Sequence, residues 1–257
     1  MNKKKTALFL TTLTIIFLLQ IYQEGFMCHS DDFLAARREM VEVQIKGRGV
    51  SDARVLDAMF KVERHKFVPD IVKQLSYSDR PLPIGEGQTI SQPYIVALMS
   101  ELIAGENISG ETKLQRSAPR ARKKLKILEI GTGSGYQAAV LAEMSHEVYT
   151  VEIVESLGRQ AEQLLKTLGY KNIYVKIGDG YKGWAENAPF DRIIVTCAPD
   201  EAPSALLEQL NPAGGRMIIP VGPAGDTQKL VLIKRDGQNY IRDLITYVMF
   251  VPMVRGK

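Results

Sequence analysis

The segment Ile127-Leu-Glu-Ile-Gly-Thr-Gly-Ser-Gly-Tyr136 sets an apolar run of strand length directly against a glycine-rich turn and the start of a helix. In open α/β sheets ligands bind outside the carboxyl ends of the strands, and Gly131, Gly133 and Gly135 let the backbone approach such a ligand closely. About twenty residues later a second run ends in Glu152, whose carboxylate can accept hydrogen bonds from both hydroxyls of a ribose. A third run ends in Gly178-Asp179-Gly180, where an acid can take a hydrogen bond from an adenine amino group. Asp179 also has a plainer reading, as the cap of a short helix over 181–185. Ser91 stands just before Pro93, and by position alone it reads as a helix cap.

The glycines choose among nucleoside ligands. A dinucleotide fingerprint wants a third glycine in G-x-G-x-x-G, and that place holds Tyr136, so the turn reads G-x-G-x-G. A dinucleotide also needs a helix N-terminus for its pyrophosphate, whereas S-adenosylmethionine has none and asks only for room beside the backbone. The pattern favours S-adenosylmethionine.

The elements that must position these residues follow from periodicity. Residues 31–77 carry apolar positions at three-to-four spacing, a helical lead-in. Residues 80–89 are rich in proline and glycine and are expected to form an ordered loop without regular structure. A helix should run over 93–103, because proline suits the first helical turn. Residues 104–126 are polar and basic without apolar periodicity and read as an exposed connection. Strands are then expected at 126–130, 148–152, 173–177, 193–196 and 216–221, with helices at 136–144, 154–168 and 202–210. That alternation predicts an α/β fold with a doubly wound, mostly parallel sheet. The last two runs, 230–234 and 241–250, have turn residues between them and should pair as an antiparallel hairpin at the sheet edge.

Bulk properties narrow the class. A chain of 257 residues, 45% hydrophobic, is long enough for one sizeable core. The net charge of +4 gathers in Lys3 to Lys5 and between Lys113 and Lys126, without interleaved aromatic residues, so no nucleic-acid partner is expected. The two cysteines, Cys28 and Cys197, and the three scattered histidines suggest neither a disulfide framework nor a metal site. Three lysines followed by an apolar run over 6–21 have the layout of a signal or anchor, setting residues 1–30 apart from a catalytic domain over 31–257. Membrane contact through 6–21 and a mistaken start upstream of Met27 or Met40 are the alternatives for that leader.

One stretch is unexplained by fold logic. Leu82-Pro-Ile-Gly-Glu-Gly-Gln-Thr-Ile-Ser-Gln-Pro-Tyr94 closely resembles the signature of the protein-L-isoaspartate O-methyltransferase family. The similarity continues through Leu128–Gln137, Gly178-Asp-Gly-Tyr-Lys-Gly-Trp184, Ala188-Pro-Phe-Asp-Arg-Ile-Ile-Val195, Leu206-Leu-Glu-Gln-Leu210, Pro220-Val-Gly222 and Phe250-Val-Pro252, from about residue 32 to the end. Two departures stand out: the basic connection over 106–126 is longer than the family pattern leads one to expect, and Asn211-Pro-Ala-Gly-Gly215 carries what looks like one extra residue.

The resemblance implies methyl transfer from S-adenosylmethionine to the free α-carboxylate of L-isoaspartyl residues in damaged proteins and peptides. It implies Ser91 as the catalytic residue, with Thr89 and Ile90 in the same loop over the cofactor. The expected cofactor-binding set is Thr89, Ile90, Glu129, Gly131, Thr132, Gly133, Gly135, Glu152, Ile153, Gly178 and Asp179, with no metal. A cytoplasmic monomer is the family expectation, which the apolar leader opposes with export or anchoring. Two rivals are a nicotinamide-dependent oxidoreductase, which lacks a Tyr-x-x-x-Lys pair here, and an inactive cofactor-binding protein that recognises damaged segments.

Overall fold

The computed structural model describes residues 33–105, 124–144 and 146–256. Helical turns over 33–39 pass into a π-helical turn at Met40–Ile45, and helix α1 (Ala53–Lys61) follows, begun by Asp52, whose side chain accepts from Arg54 N at 2.9 Å. The expected loop at 80–89 is instead a small antiparallel hairpin, β1 (Leu82–Gly85) with β2 (Gln88–Ile90). The physical reason is alternation: Leu82, Ile84 and Ile90 point into the core, while Gly85, Glu86 and Gly87 all take positive φ in the turn. Pro81 and Pro83 disguised the strand, since proline is tolerated there only because one edge of a two-stranded hairpin needs no ladder donor.

Helix α2 (Pro93–Ala104) opens on the proline, as the sequence predicts. Ser91 is not its cap. The preceding residue is Gln92, and the helix end is held by Asp79, whose Oδ1 accepts from Tyr94 N at 3.0 Å and Oδ2 from Gln92 Nε2 at 2.7 Å.

The main sheet has seven strands in the order β5 (Ile173–Ile177), β4 (Glu147–Glu152), β3 (Lys126–Ile130), β6 (Arg192–Val195), β7 (Ala213–Val221), β8 (Gln228–Asp236), β9 (Asn239–Val248). The pairs β5–β4, β4–β3, β3–β6 and β6–β7 are parallel, and β7–β8 and β8–β9 are antiparallel, which is the doubly wound sheet with an antiparallel edge. Chain order reverses at β3, whose neighbours are β4 and β6, so a crevice opens beyond its carboxyl end. Helices α3 (Tyr136–Glu143), α4 (Glu155–Thr167) and α5 (Ser204–Gln209) lie on the crossovers. Along β3 the side chains alternate between two cores. Ile127 packs with α1, α2 and α3 on one face, and Leu128 and Ile130 pack with Phe190 and Leu206 on the other. Within the segment 211–215 and just after it, β7 carries a register shift between Ala213 and Arg216.

Asp191 stands just before β6 at the rim away from the crevice, where Oδ2 accepts from Lys126 N at 3.0 Å and Oδ1 from Asn211 Nδ2 at 3.1 Å, so it is a structural clamp. The apolar leader and most of the basic insertion fall outside the described residues. Among the described residues no helix is long and apolar enough to cross a membrane.

Candidate active site

The glycine-rich turn is built as the sequence demands. Gly131 has φ of +96°, Gly133 +52° and Gly135 +86°, a left-handed region that costs glycine little. Gly131 N donates to Val151 O at 2.9 Å and Gly135 N to Thr132 O at 2.8 Å, tying the turn to β4 and to itself. A Cβ on Gly131 would lie 2.5 Å from Thr196 Oγ1, and one on Gly180 would lie 2.5 Å from Ile130 Cγ2. Both glycines line the crevice, so the backbone itself forms its floor, which suits a flat nucleoside.

Beyond the carboxyl ends of β3, β4 and β6 lies a cleft of about 580 Å³, counting its open mouth. Of the residues expected from the sequence, Thr89, Gly131, Gly133, Glu152 and Ile153 line it. Glu152 is 6% exposed, with Oε2 accepting from Gly133 N at 2.8 Å and Oε1 from Val154 N at 2.9 Å. Both oxygens keep further lone pairs, so the carboxylate is aimed without being used up.

A second cleft of about 890 Å³ adjoins the first and is lined by Ser91, Gln92, Ile95, Thr227 and the segment 247–251. Thr89, Thr196 and Val251 line both clefts. A group reaching past that shared wall from one cleft meets whatever sits in the other, and Ser91 is on the second side.

Other expected residues stand apart from the cleft lining. Ile90 is 4% exposed and packs into the core, so β2 turns Thr89 outward and Ile90 inward. Thr132 is buried, its Oγ1 2.7 Å from Thr150 Oγ1, which locks the turn to β4. Gly135 precedes α3, where a Cβ would meet Leu165 Cδ1 at 3.1 Å, so its smallness serves the packing of α3 against α4. Gly178 N donates to Glu152 O at 2.8 Å. The capping role of Asp179 is visible, with Oδ1 accepting from Tyr181 N at 2.9 Å; its neighbour Gly180, rather than Asp179, lines the cleft. Glu129 lies fully buried behind the floor.

Sequence reasoning missed one wall. Gln88, Thr196, Cys197 and the tail segment 251–254 also line the first cleft. The tail is pinned where Ala198 N donates to Val251 O and Met253 N to Ala198 O, each at 2.8 Å, and Phe250 N donates to Gln228 Oε1 at 2.8 Å. The motif Phe250-Val-Pro252 was the available signal. The hairpin is anchored as well, since Ser156 Oγ at the start of α4 donates to Glu86 Oε1 at 2.9 Å.

Two acids act on the cleft, Glu152 from its lining and Glu129 from behind it. Burial, with the Glu152 and Glu129 charges beside it, pushes the Cys197 thiol up to about 12, so it is a packing group and not a nucleophile.

Comparison with known proteins agrees with this architecture. A sequence profile described as Protein-L-isoaspartate(D-aspartate) O-methyltransferase (PCMT) matches residues 35–257. The chain is 50% identical over 222 residues to the protein-L-isoaspartate O-methyltransferase of Opitutus terrae, covering 86% of this chain and 88% of that one. It is 45% identical to protein-L-isoaspartate O-methyltransferase 2 of Syntrophobacter fumaroxidans over 100% of both chains. Among solved structures, a protein-L-isoaspartate O-methyltransferase superposes with TM-score 0.71 at 28% identity, covering 84% of this chain and 65% of that one. A Plasmodium falciparum protein, described as a β-aspartate methyltransferase in complex with S-adenosyl-L-homocysteine, superposes with TM-score 0.66 at 25% identity, covering 86% and 99%. The chain belongs to the protein-L-isoaspartate(D-aspartate) O-methyltransferase family.

Proposed function

We infer that this chain transfers a methyl group from S-adenosylmethionine to the free α-carboxylate of L-isoaspartyl residues in damaged proteins and peptides, the first step of their repair. The observation that carries the reading is the pair of clefts with Thr89, Thr196 and Val251 as a common wall. S-adenosylmethionine supplies an activated methyl on a sulfonium, a good leaving group. In this reading Glu152, which lines the first cleft, accepts from the ribose hydroxyls, and the floor at Gly131 and Gly180 admits the nucleoside. The acceptor carboxylate, with a pKa of about 4, is already ionised at neutral pH, so no general base is required. The protein's task is alignment: acceptor oxygen, methyl carbon and sulfur in line, with reacting atoms about 3–3.5 Å apart and water kept out. Ser91 donates its hydroxyl to the acceptor carboxylate and aims one oxygen at the shared wall. The product ester then closes to a succinimide and reopens in part to normal aspartate.

We assign the chemistry to a methyltransferase domain over 31–257 acting as a monomer, with residues 6–21 directing export or anchoring; light scattering and cell fractionation test those two assignments. The decisive experiment is transfer of labelled methyl groups to an isoaspartyl peptide and to its aspartyl twin. Strong labelling of the first and background labelling of the second is expected, and equal labelling would overturn the assignment of substrate.

A further inference from the structure

Among the described residues no charged side chain lines the second cleft. Its polar side chains are the hydroxyls of Thr89, Ser91, Thr196, Thr227 and Tyr247, with one exception, the amide of Gln92. A hydroxyl can donate or accept, whereas an amide oxygen only accepts and an amide NH₂ only donates. What Gln92 offers the cleft therefore depends on which way its amide is turned, and Asp79 settles that. Asp79 Oδ2 accepts from Gln92 Nε2 at 2.7 Å and from Arg48 Nη1 at 2.6 Å. A carboxylate paired with a guanidinium accepts and does not donate, so the NH₂ arm must face Asp79 and Oε1 is the arm left over. Arg48 is itself fixed, its guanidinium 3.5 Å from the centroid of the Tyr94 ring. Asp79 is outside the cleft lining, and among the described residues nothing donates to Gln92 Oε1. The cleft thus holds an oriented acceptor on the residue next to Ser91.

In an isoaspartyl residue the free carboxylate and the backbone N–H are attached to the same carbon. In a normal aspartyl residue the carboxylate lies one methylene farther from that N–H. We propose that Gln92 is a specificity residue of the second cleft: its Oε1 accepts from the N–H of the isoaspartyl residue whose carboxylate accepts from Ser91. A donor and an acceptor on adjacent residues then measure the spacing that separates the two isomers. An aspartyl chain that satisfies Ser91 leaves Gln92 Oε1 unpaired, and a site built to bond an N–H discriminates against a ligand that does not supply one. A C-terminal residue also carries both groups on one carbon, so what the pair excludes is the aspartyl side chain. This inference rests on the assignment of the isoaspartyl substrate to that cleft.

The test is a cycle between enzyme and substrate, with kcat/KM for methyl transfer measured on the full chain. The enzymes are wild type and Gln92→Met, which keeps the reach of the side chain and loses the amide. The substrates are an isoaspartyl peptide and its ester analogue, in which oxygen replaces the N–H of the isoaspartyl residue. In wild type the ester should react roughly tenfold more slowly, the scale of one acceptor left unpaired. Gln92→Met should slow the peptide by a similar factor and treat peptide and ester alike, because groups in contact couple and independent ones do not. A merely structural role for Gln92 would slow both substrates and keep their ratio, and that result overturns the proposal, as does an ester that costs wild type nothing. Should Gln92→Met fail to fold, a crystal structure of wild type with the isoaspartyl peptide and S-adenosylhomocysteine decides. Gln92 Oε1 must lie within hydrogen-bond distance of the isoaspartyl nitrogen; any other partner for that nitrogen refutes it. If wild type methylates neither substrate, the substrate assignment falls, and this inference falls with it.

Discussion

Glu152 Oε2 accepts a hydrogen bond from Gly133 N at 2.8 Å, so the acid ending β4 is held by the turn that ends β3. Its other oxygen is held by Val154 N at 2.9 Å, and the side chain reaches a ligand with its rotamer already fixed. In Glu152→Gln one of those backbone N–H groups must face an amide NH₂. Bonds to charged groups contribute about 1.5–3 kcal/mol, so affinity for S-adenosylmethionine should drop by roughly ten- to a hundredfold. Calorimetric titration measures it; an unchanged dissociation constant would remove Glu152 from the ribose site.

Ser91 lines only the second cleft, and Asp79 rather than Ser91 holds the start of α2. Ser91→Ala should therefore leave stability and cofactor affinity nearly as they were. Turnover on an isoaspartyl peptide should fall by roughly ten- to a hundredfold, the kinetic equivalent of one charge-assisted hydrogen bond. If the melting temperature collapsed while turnover per folded molecule held, Ser91 would be structural.

Gly131→Ala combines two faults, a φ of +96° and a Cβ 2.5 Å from Thr196 Oγ1. The backbone fault alone costs about 1–3 kcal/mol, and the clash adds to it. We expect a lower denaturation midpoint and no measurable cofactor binding. Adding Thr196→Ala should recover part of the stability, because it removes the clash but not the strain. No recovery in the double variant would locate the damage elsewhere.

His146 is 3% exposed, and neither ring nitrogen has a hydrogen-bond partner. Burial, with Arg54 and Arg192 nearby, pulls its pKa down to about 4. Below the ordinary value near 6.5 the unfolded chain therefore binds a proton that the folded chain refuses. Stability contributed by the neutral ring is complete above pH 6.5 and drains away as the pH falls toward 4. Denaturant titrations across that window should show a declining midpoint in wild type and a shallower decline in His146→Leu. Parallel curves would show that His146 does not drive the acid limb.

The parts of this molecule that were legible in the sequence are those whose pattern is local. The run 127–130 into Gly131, the acid ending β4 and the proline opening α2 each announce themselves within a few residues. The hairpin at 82–90 was not legible, because Pro81 and Pro83 hid an alternation that only the inward Leu82, Ile84 and Ile90 reveal. Nor was the hold of Asp79 on Tyr94, a contact between residues fifteen apart that no capping pattern encodes. The tail wall is irregular backbone fixed by Ala198 and Gln228, so no periodicity marks it. The packing duties of Ile90 and Gly135 were not legible either, since the core claims one side chain and the α3–α4 contact excludes any at the other.

The tail wall has a consequence for biosynthesis. Residues 251–254 close the first cleft, and they leave the ribosome after every strand of the sheet has been made. A chain made only as far as β9 holds its glycine-rich turn and its first core but lacks Met253 in the second, and offers its ligand only an open gutter. Competence thus hangs on residues 251–254 being in place, and a chain clipped ahead of residue 251 should lose that wall as a whole rather than by degrees.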